Sequence, residues 1–68
     1  MDAKEIIDLW CEGAHERELS EHKKWFWIAR DIISGSKVSF ELRESCLRWI
    51  KKNCKETEQK AIIIKALN

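Results

Sequence analysis

The sequence predicts an all-α protein, a compact bundle of three to four short helices, on three observations. Proline is absent and only Gly13 and Gly35 interrupt 68 residues, so little in the chain breaks a helix. Apolar residues recur at separations of three and four, the period of one helical face. Candidate capping residues stand just ahead of those runs. Charged residues make up 37% and hydrophobic ones 44%, a globular balance rather than a disordered or membrane-spanning one. A chain of this length is a single domain, residues 1–68, with a thin core that buries only about 60% of the unfolded surface.

The first helix is expected over about residues 3–12. Asp2 followed by Glu5 outlines a capping box. Ile6, Ile7 and Trp10 follow at helical spacing, and Gly13 supplies a left-handed stop. The second helix is expected over about residues 15–34. There His15, Leu19, His22, Phe26, Ala29 and Ile33 form one seam, ended by Ser34 and Gly35. Ser20, inside it, is an alternative N-cap. A rival reading fuses the two helices through Gly13 into a rod of about 45 Å, which implies an intertwined dimer.

Ser39 caps FELRESCLRWIKKNC, the third helix, about residues 40–54. Leu42, Cys46, Leu47, Trp49 and Ile50 cluster on one side of it. Glu41 and Glu44 near its start, with Lys51, Lys52 and Lys55 near its end, suit the helix dipole. Thr57 caps EQKAIIIKAL, the fourth helix, about residues 58–67. Its three isoleucines favour a strand, but no second strand is present to pair with it. The expected core contains Trp10, Phe26, Trp49, Ile50 and Ile64.

No apolar run approaches the roughly 18 residues of a membrane span. The opening MDAKEIIDLW is acidic where a secretory leader is basic. Three cysteines are an odd set for a disulfide scaffold, so a cytoplasmic protein with reduced thiols is expected. Cys11 and His15, four apart, have the spacing of two metal ligands or of a nucleophile and its base. The accompanying ligand spacings are missing, as is an orienting group, so no metal, cofactor or catalysis is expected. His15 and His22 read as side chains at a core edge.

The WFWIARDII stretch carries the functional expectation. Successive helical residues rotate by about 100°, so Phe26 faces the seam, Trp25 flanks it and Trp27 points away. The neighbours of Trp27 along the helix are Lys23, Lys24, Arg30 and Asp31. A tryptophan on a charged face has the character of a binding hot spot. The expected function is a non-enzymatic protein–protein interaction module: a small adaptor, regulator or inhibitor. Trp27, Lys23, Arg30 and Asp31 form its docking face, and another protein is its partner. Small charged helical chains without a catalytic set are common among phage and plasmid regulators.

The runner-up is a nucleic-acid-binding regulator using Arg48, Lys51, Lys52 and Lys55 on phosphates. Glu41 and Glu44 at the head of the third helix oppose its entry into a groove by that end. A third reading is a structural homodimer through the Trp27 face. Residues 1–19 sum to −4 and residues 20–68 to +5. The acidic stripe Glu5, Asp8 and Glu12 is thus available to a basic partner, or to the basic stripe of the third helix. No membrane partner is expected.

Overall fold

The computed structural model describes residues 1–68. It contains four helices: α1 (Ala3–Glu16), α2 (Ser20–Ile33), α3 (Phe40–Asn53) and α4 (Glu58–Leu67). Three of them start as the capping residues dictate. The Asp2 carboxylate accepts the Glu5 amide at 2.9 Å, and the Glu5 carboxylate accepts the Asp2 amide at 3.4 Å. Ser39 Oγ accepts the Leu42 amide at 3.1 Å, and Thr57 Oγ1 accepts the Lys60 amide at 3.2 Å. Helix α2 starts differently. Its N-cap is Leu19, which offers no side-chain oxygen, so the amides of Ser20, Glu21 and His22 have no protein partner.

The break between the first two helices lies four residues beyond the expected one. α1 runs through Gly13 to Glu16, and α2 begins at Ser20 rather than at residue 15. The cause is a Schellman turn. Leu19 N–H donates to Ala14 O at 3.0 Å and Glu18 N–H to His15 O at 3.2 Å. Glu18 holds the left-handed position, φ 56°, that glycine ordinarily takes. The same turn ends α2 with Gly35 in that position (φ 99°), where Gly35 N–H donates to Ile32 O at 3.0 Å and Ser36 N–H to Asp31 O at 2.9 Å. His15 therefore belongs to α1, and the expected seam begins only at His22.

Successive helices run antiparallel. His15 near the end of α1 meets Lys23 near the start of α2. His22 near the start of α2 packs on Trp49 near the end of α3. Arg43 near the start of α3 reaches Leu67 O at the end of α4. α1 packs on α2 and α4, α3 packs on α2 and α4, and α2 meets α4 across the middle, while the backbones of α1 and α3 stay apart. The molecule measures 29 × 23 × 21 Å, which excludes the fused rod. No helix is long and apolar enough to cross a membrane.

The core gathers Ile6, Ile7, Cys11 and Ala14 from α1 with Phe26, Ala29 and Ile32 from α2. Cys46, Leu47 and Ile50 from α3 and Ile63 and Leu67 from α4 complete it. Phe26 and Ile50 sit inside as expected; Trp10, Trp49 and Ile64 lie half-buried at its rim. An indole is too large for full enclosure in so thin an interior. Trp10 and Trp49 instead form an aromatic edge with Phe26, at ring separations of 5.2 and 6.0 Å. Trp10 Nε1–H donates to Gln59 Oε1 at 3.3 Å.

Ile64 loses its place in the interior to the stripe Lys60, Ile63, Leu67. Lys60 is 2% exposed. Its ammonium donates to Lys51 O at 2.8 Å, to Cys54 O at 3.0 Å and to Glu56 Oε1 at 2.5 Å. A buried cation is tolerated when each of its donors has an acceptor. Here two acceptors are carbonyls at the negative end of α3, so Lys60 caps one helix from within the next.

Candidate functional site

Trp27 stands on α2 with its ring outward, 45% exposed. The other two aromatics of the triplet are accounted for by rotation about the same helix. Phe26 enters the core, and Trp25 stacks on Trp49 at 6.2 Å with an interplanar angle of 21°. Arg30, one turn beyond Trp27, lays its guanidinium 5.1 Å from the Trp27 ring centroid. Asp8 on α1 accepts from Arg30 Nε at 2.6 Å. A carboxylate thus holds the cation that holds the indole. At such exposure both contacts are weak and screened by solvent. They are enough to bias the ring's orientation and too little to bury it.

Lys23 sits one turn before Trp27 and donates from Nζ to His15 Nδ1 at 3.0 Å. An ammonium only donates, so Nδ1 accepts. Of the four residues expected at this face, Lys23, Trp27 and Arg30 line one open recess between α1 and α2, together with Asp8, Glu12 and His15. Asp31 does not join it. Asp31 is exposed on the same helix and makes no side-chain bond.

Compared with family models, curated proteins and solved structures, the chain matches none.

Arg48, Lys51, Lys52 and Lys55 are all exposed, and none is ion-paired. The first three share the outer side of α3. Lys55 lies past the helix end at Asn53, and it borders a different depression. Neutralisation of this stripe by Glu5, Asp8 and Glu12, one of the alternatives open to those carboxylates, does not occur within the molecule, because α1 and α3 do not pack together. Asp8 pairs with Arg30 on the intervening helix instead.

All three thiols are free. Burial pushes the Cys46 thiol up to about 11 and raises those of Cys11 and Cys54. A thiol held protonated is a poor nucleophile and a poor metal ligand. Cys11 and His15 share α1, but His15 Nδ1 is engaged by Lys23. No group of three or more His, Cys, Asp or Glu side chains is placed to hold a metal ion.

Two features escape the sequence reading. One is Lys60, which sits at a core phase of α4 three residues before Ile63 and six after Cys54. That phase is its only signal. The other is a groove of about 420 Å³ where α1, the start of α2 and the α3–α4 turn come together. Leu9, Trp10, Leu19 and Phe26 supply its apolar surface, and Gly13 lies along it. Reading Gly13 as a helix stop concealed this. Inside a helix a glycine costs about 1 kcal/mol relative to alanine, and here a Cβ would meet nothing within 4 Å.

Proposed function

We propose that this chain is a non-enzymatic interaction module, a small adaptor, regulator or inhibitor, that docks another protein through the Trp27 face. The observation that carries the reading is an indole 45% exposed and braced by the Arg30–Asp8 pair. Such a ring offers a large contact area with little conformational entropy left to lose. Lys23 and Arg30, with Asp8 and Glu12 in the same recess, give the rim charges of both signs, and Asp31 extends the face along α2. Hot spots of this type lose about 2 kcal/mol or more of binding energy on truncation, roughly a thirtyfold weakening.

The test compares wild type with Trp27→Ala as baits, followed by affinity measurement with the purified captured protein. Trp27→Ala is expected to keep its circular dichroism and melting temperature, because the ring supports no core contact, and to lose the partner. A partner held equally by both baits removes Trp27 as anchor.

A second reading is supported by the four unpaired cations Arg48, Lys51, Lys52 and Lys55. In it the chain is a nucleic-acid-binding regulator, and retention on heparin or DNA falls steeply between low and physiological salt. Absence of retention at low salt removes it. Self-association through the Trp27 face is read by light scattering at two concentrations, with a monomer mass at both excluding it.

A further inference from the structure

The groove bordered by Gly13 lies apart from the Trp27 recess; no residue is common to both. We propose that it is a second docking site, for a peptide segment of another protein that carries acidic and large aliphatic side chains.

Three observations converge on that occupant. The groove is apolar along Leu9, Trp10, Leu19 and Phe26, and Leu9 and Leu19 are 50% and 37% exposed. Exposed leucines around an aromatic floor suit an aliphatic side chain. Its charged lining is of one sign: Arg17 and Lys55 border it, neither is ion-paired, and no carboxylate lines it. This holds although Arg17 lies between Glu16 and Glu18 in the chain. Leu19 and His22 form one edge, where α2 begins without a side-chain cap and the His22 amide has no protein partner, which favours negative charge at that end. Acidic groups on the occupant complement all of these donors.

Gly13 is the third observation. Its conformation needs no glycine, since it lies within α1 and is not among the residues with positive φ. No neighbour excludes a side chain there. The fold therefore gains nothing from glycine at this position and loses helix stability by it. What the missing side chain provides is clearance along the groove, so that a bound segment can approach the α1 backbone.

The test is selection from a random dodecapeptide library on the full chain, then titration of the enriched peptides with amide chemical shifts as the readout. Enrichment of peptides combining Glu or Asp with Leu or Ile is expected, with shifts at Gly13, Arg17, Leu19 to His22 and Lys55. Gly13→Leu is expected to weaken binding at least about tenfold while keeping its helical circular dichroism. Gly13→Ala separates binding from folding, because it raises the melting temperature and still weakens the peptide. Arg17→Glu with Lys55→Glu abolishes binding, and Trp27→Ala leaves it unchanged. Enrichment of basic peptides overturns the proposal, as does no enrichment. Shifts confined to the Trp27 face overturn it too, and so do concentration-dependent shifts of the groove residues without peptide, which identify a second copy of the chain as occupant.

Discussion

Glu18 holds a left-handed backbone, φ 56°, with a side chain that makes this conformation costly. The penalty for a non-glycine residue is about 1–2 kcal/mol. Glycine recovers part of that after the extra entropy it loses on folding. Glu18→Gly is therefore expected to stabilise the protein by about 0.5–1 kcal/mol. In a domain of this size the melting temperature rises by roughly 4 °C. A thermal melt monitored by circular dichroism checks it, and an unchanged or lower midpoint would show that the Glu18 side chain does more than occupy the turn. Gly35 serves as the internal comparison. It ends α2 with the same pair of bonds and already has the permissive residue.

Between elements, the joint most dependent on one side chain is that of α3 and α4. Lys60 Nζ satisfies Lys51 O and Cys54 O from inside the protein. Lys60→Met retains most of the apolar stem and removes every donor. Both carbonyls then lose a charged partner, so a loss of about 3 kcal/mol is expected, read as a lower urea midpoint. Glu56→Gln is expected to cost far less, since the Glu56 side chain is 90% exposed and water replaces its role. Equal effects from the two substitutions would shift the importance from the carbonyls to the ion pair. This joint also shows where sequence reasoning stops. Caps at Asp2, Ser39 and Thr57 were legible because each acts within three residues of itself. The outward phase of Trp27 was legible because rotation along one helix is local. The α1–α2 boundary was not, because a glutamate in a glycine's conformation leaves no compositional mark. Lys60 was not, because lysine reads as surface until the acceptors beside it are known. The groove depends on three separate elements meeting, which no single window of sequence contains.

Over the whole molecule, the charge asymmetry of the chain survives folding. α1 and α3 occupy opposite corners, with α2 and α4 between them. The acidic stripe of α1 therefore does not cancel the cations of α3, and the two sides of the molecule differ in sign. The interior has a single charged occupant, Lys60, and this makes the protein its own reporter of opening. Amine acylation requires a free, accessible nitrogen pair, and the ammonium of Lys60 is enclosed while that of Lys65 faces solvent. Brief treatment with a succinimidyl ester should modify Lys65 and spare Lys60 until denaturant is added, as peptide mass spectrometry would record. The rate at which Lys60 is finally tagged in native buffer would time the separation of the last two helices. Equal tagging of the two amines from the outset would mean that this enclosure is transient.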